Sequence, residues 1–221
     1  NVLNDTNGLK DNTVNQANIN SDLGLKAVLV DNAGKVVAVT TVNPSTGTYE
    51  FAGLGAGTYS VKLTTAEVTE AAVGTQASTI ATTLPTGWLY TGENVGTAEG
   101  NDGIVNGTLV NIVVTNANVA NANFGIQQGP IAGEGTNTAV NPGGTTQVTV
   151  PANTFTNTTE SSDVDGDVVA IRITEFPENA TSIVIGNTTY TKDGGNGTTI
   201  WPTTGVTVET NEKGQPSTLI T

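Results

Sequence analysis

The feature that most constrains this chain is the period of its short apolar runs. Leu23, Leu25, Ala27 and Leu29 alternate with Gly24, Lys26 and Val28, and Tyr59, Val61 and Leu63 alternate with Ser60 and Lys62. A period of two places one set of side chains on one face of a strand. The runs are rich in Val, Ile and Thr, as strands are. Turn residues separate them. Asp31-Asn32-Ala33-Gly34 stands between the strands expected at residues 23–31 and 35–42, which reads as a hairpin. Asn43-Pro44-Ser45-Thr46-Gly47 turns the chain again, because Pro fixes φ and Gly allows positive φ. Residues 48–54, with Tyr49 and Phe51 on one face, and residues 58–65 are the next expected strands. Residues 66–77 leave room for a helical turn, weakened by Thr69 and Gly74. Residues 109–127 supply the last strands of this part.

The pattern changes near Gln127. Residues 129–146 are rich in Gly, Asn and Thr and carry two prolines, as linkers do. Beyond them, residues 148–155, 167–176, 181–191, 205–212 and 216–221 look like strands, with turns at Asn187-Thr188 and Glu212-Lys213-Gly214. Strands spaced by ~8–12 residues predict β-sandwiches, and a length of 221 residues suits two domains. The reading is therefore all-β: a sandwich over 1–128, a linker over 129–146 and a second sandwich over 147–221. The chain stops inside the apparent strand STLIT. The second sandwich is thus expected to receive its closing strand from downstream sequence or from another polypeptide, by strand addition.

Composition removes several chemistries. The chain has no His and no Cys, which excludes Ser-His-Asp triads, thiol catalysis, disulfides and most zinc sites. With 20 Asp+Glu against 7 Lys+Arg and a net charge of -13, it is no partner for nucleic acid phosphates. No run of ~18 apolar residues is present, so no membrane span is expected. There is no initiator Met and no charged-then-apolar leader, so the chain reads as part of something longer. No pair of carboxylates is spaced as an evident acid/base set, and the expectation is a protein that is not an enzyme. The plentiful ligands are oxygens, which suit calcium or magnesium.

Those oxygens gather in three places. The first is Asp5-x-Asn7-Gly8-x-x-Asp11, followed by Asn15. A calcium loop needs several oxygens converging at ~2.3–2.6 Å, with a Gly for the bend. The alternative is an Asx-rich turn in solvent. The second is Glu93, Asn94, Glu99, Asn101 and Asp102, between Gly92 and Gly103, read as an acidic loop that closes on the first, with Asp22 or Asp31 able to complete a site. The third is Asp163-Val164-Asp165-Gly166-Asp167. Its three carboxylates share one side if the segment is extended, and they repel one another unless chelated or solvated. Trp88 and Trp201 offer faces for a sugar, or serve as core and rim residues.

Residues 47–63, GTYEFAGLGAGTYSVKL, resemble the signature hairpin of prealbumin-like bacterial surface modules. NVLNDTNGLKD at the start, TGENVGTAEGNDG and the closing NANFGI resemble, in the right order, the loops and last strand of the serine–aspartate-repeat B-type domain. The resemblance covers residues 1–127. It implies a calcium-stabilised sandwich in a long exported adhesin on the bacterial surface. Residues 130–221 are more weakly similar to Ig-like or cadherin-like tandem repeats. The expected role is a structural stalk segment, in surface attachment or gliding, whose partners are neighbouring domains of the same polypeptide. The competing readings are a glycan- or protein-binding module and an accessory domain of a secreted enzyme.

Overall fold

The computed structural model describes residues 1–6, 8, 14, 16–96, 101–140, 142–144 and 146–221. The chain divides into two compact units, Asn1–Gly129 and Pro130–Thr221. Both are built from strands, and the fold is all-β.

The first unit is a sandwich of two four-stranded sheets. Its strands are β1 (Val2–Asn4), β2 (Ala17–Asn18), β3 (Lys26–Asp31), β4 (Val36–Thr41), β5 (Gly57–Thr64), β6 (Trp88–Val95), β7 (Thr108–Val114) and β8 (Ala122–Gln128). One sheet has the order β2-β1-β8-β6, the other β4-β3-β5-β7. The alternating residues do what their period predicts. Ala27, Leu29, Val61, Leu63, Leu109 and Ile112 from one sheet meet Val2, Phe124 and Ile126 from the other in a single core. The hairpin of β3 and β4 turns on Asp31, whose carboxylate accepts the amides of Ala33 and Lys35 at 2.9 Å each, with Gly34 at positive φ.

Two local expectations are changed. Residues 48–54 form no strand. Their aromatic side chains still turn inward: Tyr49 packs on Phe51 and Phe124 and donates to the Ala122 carbonyl at 2.9 Å. The region 66–77 folds as two separate 3-10 turns, Glu70–Ala72 and Ala77–Thr79. The Lys62 ammonium fixes the second of these by donating to the Ala77 and Ile80 carbonyls at 2.9 and 2.7 Å.

The second unit has a smaller core. Its strands are β9 (Ala170–Ile173), β10 (Ile183–Ile185), β11 (Thr188–Thr191), β12 (Thr199–Ile200) and β13 (Val206–Glu209). They form the sheets β10-β11-β12 and β13-β9. Ile183, Ile185, Val208 and Ile220 are its buried centre. Gly186 and Asn187 make the two-residue turn between β10 and β11. Residues 148–155 make no extended strand: Val150 bridges Ile220, and a 3-10 turn, Ala152–Phe155, follows Pro151. Ile220 bridges Ile185 on its other side, so residue 220 is paired along both edges. Ile131 and Glu134, within the stretch read as a linker, bridge Ser162 and Thr159.

Candidate metal centre

The N-terminal segment is laced to β6. The Asp5 amide donates to Ile126 at 3.0 Å, extending the pairing of β1 with β8. The Asp5 side chain is fully buried and crosses β8 above Gly125, where its Oδ2 accepts the Thr91 hydroxyl at 3.1 Å. Gly125 leaves the room for that crossing. A Cβ there would lie 2.7 Å from Asp5 Oδ2 and would collide with Thr91 Oγ1. Gly8, at φ +56, lies so close to β6 that a Cβ would be 2.8 Å from the Thr91 carbonyl oxygen. Farther along, the Val14 amide donates to Asn94 Oδ1 at 3.1 Å. The neck is closed by Gln16, whose Oε1 accepts the Thr6 amide and hydroxyl at 3.3 Å each. Asn7, Asp11 and Asn15, expected as ligands of this loop, lie outside the described residues.

The second group is not a loop at its start. Glu93 and Asn94 belong to β6 and are both fully buried. Successive strand residues point to opposite faces. Glu93 is in register with the core residue Phe124, and Asn94 with Asn123. Glu93 Oε1 accepts the amides of Asn106, at 3.2 Å, and of Gly107, so its carboxylate fastens the β6–β7 connection from inside the sandwich. Burial raises the Glu93 pKa to about 7, against the lowering effect of those amides and with a further upward push from Asp102. Asn94 faces the other way, towards the N-terminal segment. One ion therefore does not receive both side chains. Asp102 accepts the Ile104 amide at 2.8 Å in an Asx turn; Glu99 lies outside the described residues. Asp22 and Asp31 are engaged by their own turns, Asp22 through the Gly24 amide at 3.2 Å.

Asn123 is not among the ligands that the sequence singles out. It shares a face with Gly125 and stands opposite Asn94. Its buried Oδ1 accepts no hydrogen bond among the described residues, and neither do Asn4 Oδ1 and Glu93 Oε2. An oxygen shielded from water and left without a donor is costly unless something cationic faces it. Asp5, Asn94 and Asn123 thus present carboxylate and carboxamide oxygens on one face of β6 and β8. That donor set suits a hard cation. Among the described residues no three carboxylates stand together as a metal site.

The third group does not extend. Residues 164–166 form a bend. Asp163 curls over Gly166, whose Cβ would lie 3.1 Å from Asp163 Oδ2, and Asp163 Oδ1 accepts the Asp165 amide at 3.4 Å. Asp167 is exposed. The bend removes the shared side that an extended segment would give Asp163, Asp165 and Asp167.

The tryptophans pack inward. Trp88, at the start of β6, lies against the first core. Trp201 meets Phe176 and Tyr190 edge to face at 5.6 and 5.5 Å in the second. No helix among the described residues is long and apolar enough to cross a membrane. Comparison with protein-family models, curated proteins and solved structures finds no match.

Proposed function

We propose that this chain is a non-catalytic stalk segment of a large secreted bacterial surface adhesin, stiffened by calcium. The observation that carries the calcium reading is the lacing of the acidic N-terminal segment to β6 through Asp5, Gly8 and Val14, with the orphaned Asn123 oxygen beside it. Asp5, Asn94 and Asn123 would hold the ion, joined by Asn7, Asp11 and Asn15 of the same loop. Calcium supplies positive charge that offsets carboxylate repulsion. The chain's own residues supply the frame: Gly125 admits Asp5, Thr91 orients its carboxylate, and Asn94 holds the far end of the loop. Binding to the folded state alone adds stability by mass action. The order of the Asp/Asn and Tyr-x-Phe segments, which resembles B-type surface domains, supports an exported adhesin working outside the cell in attachment or gliding. Its partners would be neighbouring domains of the same polypeptide.

Calorimetric titration tests this. Calcium is expected to bind at about 0.1–1 mM, as in extracellular modules, with magnesium weaker and Asp5→Asn weakening calcium at least tenfold. Absence of calcium binding at 10-fold higher concentration, on the order of 10 mM, overturns the reading.

A further inference from the structure

The first unit also contains an open cleft of about 800 Å³, within the ~300–1,000 Å³ range of ligand sites. It shares no residue with Asp5, Asn94 and Asn123, and neither tryptophan lines it. The buried core residues Leu29, Val61 and Ile112 form its floor, and Tyr49, Phe51 and Tyr59 also line it. Two of these rings are fixed by their hydroxyls, Tyr49 on the Ala122 carbonyl at 2.9 Å and Tyr59 on the Gly55 carbonyl at 3.0 Å. Residues 115–121, TNANVAN, contribute the rest of the lining. There Asn116, Asn118 and Asn121 are exposed residues. Among the described residues of the lining, Glu50 has the one charged side chain.

That lining narrows the ligand. With no Lys or Arg, one carboxylate, and an Asn1 amino group that donates to the Ala122 carbonyl and whose pKa burial lowers to about 5, in a chain of net charge -13, the cleft disfavours phosphate, sulfate and carboxylate groups. A wholly apolar ligand would strip water from three carboxamides and return no hydrogen bond. A neutral sugar satisfies both halves. Its hydroxyls pair with carboxamides, which donate and accept, and its C–H faces lie on aromatic rings already held in place. We propose that this cleft binds a neutral oligosaccharide. The proposal is independent of the calcium site.

The test is a panel of neutral oligosaccharides of two to four hexose units, with sialylated and sulfated counterparts and unstructured peptides of similar mass. Binding to the whole chain is followed by backbone amide NMR shifts. The expected result is that a neutral member shifts amides within residues 49–54 and 115–122. Its affinity should fall at least tenfold in Asn116→Ala/Asn118→Ala, a change at exposed positions that leaves the melting temperature unchanged. Four outcomes overturn the proposal: no shift with any neutral member at 10 mM, shifts only with anionic members, shifts only with peptides, or a double variant that binds as tightly as the parent.

Discussion

Glu93 and Asn94 are chain neighbours that fasten different segments from opposite faces of one strand. Glu93 accepts the amides of Asn106 and Gly107 inside the sandwich. Asn94 accepts the amide of Val14, 80 residues away. The two side chains hold the β6–β7 connection and the N-terminal segment against the same strand. Loss of either therefore releases a different loop.

Glu93 should make the stability of the first unit depend on pH. Its pKa in the fold is raised by burial to about 7 from 4.5. A carboxyl with a raised native pKa binds its proton more tightly in the folded state than in the unfolded one. Its favourable contribution is complete below about 4.5 and is lost as pH rises to about 7. Urea unfolding in chelator should show stability falling across that window. In Glu93→Gln the fall should be reduced, and a parent curve that rises with pH through the window contradicts the assignment.

Gly125 and Gly8 should be intolerant of a side chain. Gly125→Ala inserts a methyl group into the crossing of Asp5 and Thr91, at a cost of about 1–3 kcal/mol. Gly8→Ala adds a contact with the Thr91 carbonyl and a left-handed φ, and should cost a similar amount. Denaturation midpoints check both. Gly53→Ala is a useful control, because its Cβ would meet nothing within 4 Å although its φ is +68; it isolates the cost of the backbone conformation alone.

The tryptophans should behave as packing residues. Trp201→Ala removes the ring between Phe176 and Tyr190 and should destabilise the second unit by about 2–4 kcal/mol, somewhat less than a fully buried Trp. An exposed sugar platform would be replaced without loss of stability. Thermal unfolding of the variant distinguishes these outcomes.

Much of the fold is legible in the sequence because alternation and turn chemistry agree. The β3–β4 hairpin follows from Leu25, Ala27 and Leu29 and from the Asp31 turn. What failed has identifiable causes. WLYTGENV carries a register shift between Tyr90 and Gly92, and an extra residue flips which side chains face inward. Glu93 and Asn94 then look like loop residues although they are buried. Asn123 reads as one more residue of the unit's last strand; only the strand pairing sets it opposite Asn94. Residues 48–54 have strand alternation, yet the energy of Tyr49 and Phe51 comes from core contacts and not from a ladder. The Asp163 segment bends at residues 164–166 instead of extending, an outcome that the solvated-turn alternative allows.

The most direct measurement is the melting temperature of the whole chain in excess calcium and in chelator, at matched ionic strength. Calcium at about 100 times its dissociation constant should add about 2.7 kcal/mol to the unit that binds it, and its transition should move up by several degrees. In Asp5→Asn the shift should shrink. Superimposable melting curves in calcium and chelator would contradict a calcium-stiffened stalk.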